Sequence, residues 1–323
     1  MSVATAVVER WTDRAEWDRL VADSPQGSVF CRSGLLDALD VDWEAWVLPG
    51  PTGPRAAALL FRDQEGAIQK APLPFCLYQG ILLPSALAAA PPHRAVHDAL
   101  EAVDELIQGL AAQRRMSWCL HPSFNDVRPL SWFHHHDPGA GLFRLDVRYT
   151  GIVALEPGRG LDGILAGARS VRRQEFRKAA ERFRVEPSAD LDLLDRLHGL
   201  TFARQGLERT GRERRLLAAI AAAALRHGFG EVLVARDGDG NAAGAVLFLY
   251  DSRTAYYLVA ANDPVFRSAG VSTLLFLRGV ERGIERGVER VDVVGMNSPS
   301  RGDFKTSFGA LPTPYFVAHW DAP

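Results

Sequence analysis

The chain has 323 residues, of which 47% are hydrophobic and 24% charged, and its formal net charge at pH 7 is −2. That length is long for one domain and comfortable for two, with enough apolar residues for a sizeable core. An isoelectric point near 6.5 lacks the basic excess of a protein that lives on nucleic acid, so DNA is not an expected partner.

The N-terminal stretch MSVATAVVERWTDRAEW is charged and has no apolar signal core, which points to a cytoplasmic protein. Helical spacing covers 14–23 and 33–40. Strands are expected at EAWVLPG (44–50), RAAALLFR (55–62) and AIQKAPL (67–73), followed by a helix over about 93–114. The strand SWCLHPS (117–123) and a last strand FRLDVRYTGIVAL (143–155) complete the first half. Cys31, Cys76 and Cys119 are odd in number and far apart, which suggests a reducing compartment and neither a disulfide framework nor a metal set. His134, His135 and His136 are consecutive, point in different directions and sit in a loop without suitably spaced carboxylates, so no metal is expected.

In the second half a basic helix is expected over 161–183, with further helices over 190–206 and 211–227, the last ending at Gly228. The longest apolar run, Leu216 to Leu225, is too short to span a bilayer, so no membrane insertion is expected. EVLVARD and AAGAVLFLY read as strands joined by the tight turn DGDGN, and RTAYYLVAA as a third. The loop 262–270 leads to a helix from about 271 to 286, a short buried strand VDVVGM (291–296), the polar loop NSPSRGD and a final strand near 313–320. The order helix–helix–strands–helix–strand–strand thus occurs twice. A period of roughly 150 residues is that of a duplicated domain, with a first domain over 1–155 and a second over 156–323.

The sharpest motif lies between a strand and a long helix: Arg267, Ser268, Ala269, Gly270, Val271 and Ser272. Small residues at a helix start leave main-chain N–H groups free, and those groups with the helix dipole favour a phosphate. Gly270 can take positive φ and admit an anion closely, and Arg267 adds a cation. The plain alternative is a helix N-terminus capped by Ser268 or Ser272. The corresponding segment of the first half, LPSALAAAPPHRAV, has prolines where free N–H groups are needed and no glycine.

This R-x-x-G-x-small loop resembles the coenzyme A pyrophosphate loop of GNAT N-acetyltransferases, with Ser272 in place of the final glycine or alanine. The basic segment Ser170–Ala179 and the run Phe304-Lys305-Thr306-Ser307-Phe308-Gly309 resemble the FemAB-like and CelD/BioF-like branch, in which two GNAT halves are fused in tandem. The resemblance covers nearly the whole chain. It implies an α/β (α+β) fold of two tandem GNAT-like domains, each a mixed, mostly antiparallel sheet flanked by helices. The first would be degenerate and the second would carry the donor site. Acyl-CoA is the implied co-substrate, with aminoacyl-tRNA as the alternative donor.

By the same resemblance, Asn297 occupies the place of the asparagine that follows the fifth strand of GNAT enzymes. The tyrosine that protonates the leaving thiol seven residues later is Phe304 here, which cannot donate a proton. Lys305 beside it matches a Fem residue that would stabilise developing negative charge or hold a phosphate; the plain alternative is a surface lysine. Tyr256 and Tyr257 lie on the strand lining the donor cleft, and since neighbours face opposite sides, at most one faces it; Tyr257 is the candidate acid, against core packing as the alternative. No Glu or Asp lies on that strand as an obvious base; Asp292 on VDVVGM is an alternative, against a structural role, so the amine's proton is expected to pass through water or a backbone carbonyl. Arg169, Arg173 and Arg177 are spaced by four and share a helix face, suited to a phosphate, a carboxylate or a tRNA backbone, or to solvation beside Glu175 and Glu181. The expected function is N-acyl transfer from acyl-CoA to an amine of a small molecule or amino sugar. The alternatives are an aminoacyl-tRNA-dependent transferase, with tRNA as partner, and a non-catalytic ligand-binding protein.

Overall fold

The structure, a computed structural model, describes residues 7–323; the first six residues of the N-terminal stretch lie outside them. The chain divides into two compact units. One runs to Arg148 and includes Pro314–Pro323, and the other is Tyr149–Thr313.

The first unit opens with β1 (Glu9–Trp11) and α1 (Arg14–Asp23), whose Asp13 cap accepts from the Ala15 and Glu16 amides. The short helix α2 (Ser33–Leu36), β2 (Asp42–Leu48), β3 (Ala56–Arg62) and β4 (Ile81–Leu82) follow. These strands form an antiparallel sheet in the order β1-β2-β3-β4. β3 is buried from Ala56 to Phe61, which explains its continuous apolar reading. The segment expected as a strand at 67–73 contributes only an isolated bridge from Ile68 to Arg62, because Pro72 and Pro74 bring no N–H to a ladder. Helix α3 (Pro92–Leu110) buries Ala102, Val103, Leu106, Ile107 and Leu110 along one stripe. β5 (Arg115–Cys119) precedes α4 (Arg128–Trp132) and pairs with the end of the last strand of the chain.

β6 (Arg144–Ala154) carries the chain into the second unit. The single basic helix expected over 161–183 is two, α5 (Gly160–Gly167) and α6 (Ser170–Arg182), broken where Ala168 is extended. The guanidinium of Arg173 closes the break by donating to the Ala168 and Leu165 carbonyls at the open end of α5. Then come β7 (Arg184–Ser188), α7 (Leu191–Ala203), α8 (Gly211–His227), β8 (Gly230–Arg236), β9 (Ala242–Tyr250), β10 (Thr254–Asn262), α9 (Val271–Glu285), β11 (Arg290–Asp292), α10 (Pro299–Thr306) and β12 (Leu311–Asp321). α8 starts on a capping box of Thr210 and Glu213 and ends at Gly228 in the left-handed region. Much of the polar run expected as a loop from 297 is α10, with Pro299 in its first turn.

The second unit's strands run in the order β6-β11-β10-β9-β8-β7. β10 and β11 are parallel and the other pairs antiparallel, a mixed, mostly antiparallel sheet. Helices α5, α6 and α9 cover one face in an apolar cluster that includes Phe248, Leu274, Leu277 and Val291. Helix α7 packs on β9 and β10, and α8 on β8.

Candidate active site

β10 and β11 run side by side only from Thr254/Arg290 to Tyr256/Asp292. Beyond that point β10 continues to Asn262, bulged between Tyr257 and Val259, paired with β9 alone. The chain after β11 turns the other way and follows β6: Val293 N–H donates to the Gly151 carbonyl at 2.9 Å and Met296 N–H to that of Tyr149 at 3.0 Å. Gly151 permits this course, since a Cβ there would stand 2.3 Å from the Met296 sulfur. The two strands therefore part, and the β10 edge from Tyr257 onward has no strand partner among the described residues. An unpaired edge of this kind offers main-chain donors and acceptors to an extended ligand.

The loop singled out in the sequence lies at the far end of β10. Asp263 caps the short turn Pro264–Phe266 by accepting from Val265 N–H at 3.0 Å, and Ala269 N–H donates back to the Phe266 carbonyl at 3.0 Å. Gly270 has φ 75° and forms the N-cap of α9. The Leu274 amide donates to the Gly270 carbonyl at 3.0 Å. Val271, Ser272 and Thr273 precede it in the first turn, where amides lack helical acceptors. Arg267 and Ser268 are exposed, and the Asn262 side chain donates to the Ser272 hydroxyl, tying the end of β10 to the helix start. In the first unit, α3 begins at Pro91 and Pro92, which have no N–H to offer.

The opposite wall of the opening is the segment 293–297. The Asp292 carboxylate, 2% exposed, accepts from the Thr150 hydroxyl and from Val294 N–H at 2.8 Å, so it holds the turn. Lys305 on α10 donates to the carbonyls of Val294 and Gly295, the latter at 3.1 Å. Burial lowers the Lys305 pKa to about 8, with the Arg301 cation acting in the same direction and Asp292 opposing. Asn297 accepts from Tyr149 N–H at 2.8 Å and donates to the Tyr149 carbonyl at 3.2 Å, as a paired strand residue would. Phe304 lies edge-on to Phe308, with ring centres 5.1 Å apart.

Both tyrosines of β10 are buried. Tyr256 donates to Asp251 at 2.7 Å. Tyr257 packs between Phe248 and Phe276, and desolvation pushes its phenol well above the usual range. The arginine stripe is partly engaged: Arg169 pairs with Asp303 at 2.8 Å and Arg173 serves the end of α5, while Arg177 is exposed. The structure thus places Asn297 and Lys305 along one wall and 267–272 at the end of the other, and sets Tyr257 in the core. Arg172, Glu175, Thr273 and Ser307 join these parts; Arg172, Glu175 and Ser307 lie in the segments that carry the resemblance but have no individual site role in the sequence reading, and Thr273 is not marked there at all. A grouping of possible metal-ligand atoms among the described residues is His97, Asp98 and Glu101 on the exposed face of α3, away from this wall in sequence and in unit.

Residues 166–306 match the family model described as an acetyltransferase (GNAT) domain. No curated protein matches the chain by sequence. Among solved structures it is similar to FemX, at 14% identity and a TM-score of 0.63, covering 95% of this chain and 96% of that one. It is similar to a tandem GNAT protein from the clavulanic acid biosynthesis pathway, at 14% identity and a TM-score of 0.55, covering 98% of each chain. It is also similar to L-PGS from Bacillus licheniformis, at 11% identity and a TM-score of 0.53, covering 95% and 91%. At such identities the likeness is one of fold, and it extends over nearly the whole chain. Residues 166–306 thus match the model of a GNAT acetyltransferase domain, and the chain as a whole has a fold similar to that of the tandem GNAT protein and of FemX.

Proposed function

We propose that the chain is an N-acyltransferase that moves an acyl group from acyl-CoA to an amine of a small molecule or amino sugar, with the donor held by the second unit. The observation that carries this reading is the parting of β10 from β11 beside the free amide end of α9. The pantetheine arm of coenzyme A is an extended chain with two amides, suited to an unpaired strand edge. Its diphosphate suits the amides of Val271 to Thr273, with Arg267 adding positive charge. In this reading the first unit is a degenerate half that binds no donor, since Pro91 and Pro92 remove the amides such a site needs.

The reaction needs few groups. The neutral amine attacks the thioester carbonyl carbon, and the C–S bond breaks as the tetrahedral intermediate collapses. A thiolate with a pKa of about 8.5 leaves without full protonation. Main-chain N–H groups on the open edge of β10 polarise the carbonyl. Lys305, half-buried beside the opening, supplies positive charge to the developing anion, and Asn297 keeps its wall in register. Asp292 is already committed to Thr150 and Val294, so the amine's proton passes to water. Engagement of Arg169 and Arg173 within the fold supports a small nucleotide donor over a tRNA backbone.

Calorimetric titration of the whole protein with acetyl-CoA, longer acyl-CoAs and charged tRNA tests the reading, followed by thiol release with a panel of amines. Binding of an acyl-CoA with amine-dependent thiol release is expected. Binding of charged tRNA alone would replace the donor class, and binding with no turnover on any amine would favour a ligand-binding protein.

A further inference from the structure

One carboxylate and one guanidinium on α6 reach two different walls of the opening. The Glu175 carboxylate accepts from the Thr273 hydroxyl at 2.6 Å and from the Arg172 guanidinium at 2.7 Å. Thr273 is the third residue of α9 and is 1% exposed, so this contact grips the helix end whose amides are free. The same grip is visible at Gly270, where a Cβ would stand 3.0 Å from the Glu175 carbonyl oxygen. Arg172 also donates through Nε to the Ser307 hydroxyl at 2.8 Å and lies 4.7 Å over the Phe304 ring. Main-chain contact reinforces the tie, since Arg169 N–H donates to the Ser307 carbonyl at 2.9 Å.

We propose that Arg172 and Glu175 are positioning residues of the donor site, resting on the acyl-CoA reading above: Glu175 fixes the first turn of α9 through Thr273, and Arg172 neutralises that carboxylate and ties it to α10. The charge argument is what separates this role from packing. A carboxylate beside a helix N-terminus occupies the place an anionic ligand favours and repels it. Paired with Arg172 it keeps its hydrogen bond to Thr273 while presenting little net charge. Without Arg172 the bare carboxylate faces the incoming diphosphate. Changing Glu175 to glutamine keeps an oxygen for Thr273 and removes the charge, so it should rescue the loss of Arg172.

The experiment is a double-mutant cycle in CoA affinity by calorimetry, with folding of each variant checked by circular dichroism and thermal melting. Arg172→Met should weaken CoA binding about tenfold or more, because an unpaired carboxylate is left near the phosphates. Glu175→Gln alone should stay within about threefold of wild type, since the hydrogen bond survives. The double variant should bind within about threefold of Glu175→Gln, the non-additivity expected of a charge pair. Should Arg172→Met fail to fold, Arg172→Lys compared with Arg172→Gln reads the same charge effect, the lysine variant binding more tightly. An additive cycle, or Arg172→Met with wild-type affinity, overturns the positioning role while leaving the donor reading intact. Wild-type protein that binds no CoA overturns both.

Discussion

Lys305 donates a hydrogen bond to the carbonyl oxygen of Gly295 at 3.1 Å, and it donates a second to the carbonyl of the preceding residue, Val294. Val294 and Gly295 both have positive φ, 51° and 50°. For a β-branched residue that conformation is strained, and it persists only where the surroundings impose it. Lys305 from one side and Asp292, which accepts from Val294 N–H, from the other impose it here. The wall of the opening is therefore shaped by two side chains of opposite charge acting on main-chain groups.

The Lys305 ammonium gives a pH signature. Its pKa falls from the ordinary lysine value of 10.5 to about 8 in the folded protein because burial disfavours the charge. The unfolded chain therefore binds more protons between those values, and stability from this group rises with pH across that window. It is fully present above about 10.5 and lost as pH falls through about 8. Thermal melts of wild type and Lys305→Met over this range should show wild type gaining relative to the variant. A constant difference would mean that Lys305 titrates normally. If the ammonium supports the reaction, kcat/KM should also carry a falling limb near pH 8 that Lys305→Met lacks.

Gly270 should not tolerate a side chain. Its φ of 75° disfavours any L-residue, and a Cβ there would meet Glu175. Gly270→Ala is expected to cost about 1 kcal/mol or more in unfolding free energy. Gly270→Asp adds a negative charge where the diphosphate is proposed to sit and should weaken CoA binding by at least about tenfold. Unchanged CoA affinity in a folded Gly270→Asp protein would place the donor elsewhere.

Asn297 is the third point. Its amide pairs with both main-chain groups of Tyr149. Asn297→Asp keeps the acceptor for the Tyr149 amide but sets a second oxygen against the Tyr149 carbonyl. Because the residue is exposed, the stability cost should be modest, about 1 kcal/mol. A larger loss in kcat/KM than in stability is expected, since the wall shifts while the fold survives. Equal kinetics in wild type, Asn297→Asp and Asn297→Ala would remove Asn297 from the site.

What the sequence could disclose depended on how local the physics was. The β8–β9 hairpin was legible because Asp237 and Asn241 close its turn within five residues. Gly270 was legible because a small residue before a helical stripe has few other uses. The parting of β10 and β11 was not, because alternation marks a strand without naming its neighbour. Nor was the Glu175 contact, whose partner Thr273 lies 98 residues away, or the Arg172 contact to Ser307, 135 residues away. The alternation argument for Tyr256 and Tyr257 separated their faces but not their exposure: helices cover both sides of the sheet, and both rings are buried.

Phe304 provides the last test, of whether proton delivery to the leaving group limits turnover. It stands where GNAT enzymes by resemblance carry a tyrosine acid, and its ring lies under the Arg172 guanidinium at 4.7 Å. A thiolate of pKa about 8.5 leaves acceptably as an anion, helped by a nearby cation such as Lys305. An alkoxide leaving from a ribose is far more basic and would gain much more from a donated proton. Phe304→Tyr adds the hydroxyl and keeps the ring against Arg172, so the packing cost is small. With an acyl-CoA donor the change in kcat should be less than about tenfold, or roughly 1.4 kcal/mol of barrier. Phe304→Leu, which removes the ring from Arg172, serves as the packing control and should lower stability without improving kcat. A gain of about a hundredfold in Phe304→Tyr, near 2.7 kcal/mol, would show that protonation of the leaving group is the slow step. The site would then have to be read as one that lacks an acid it needs.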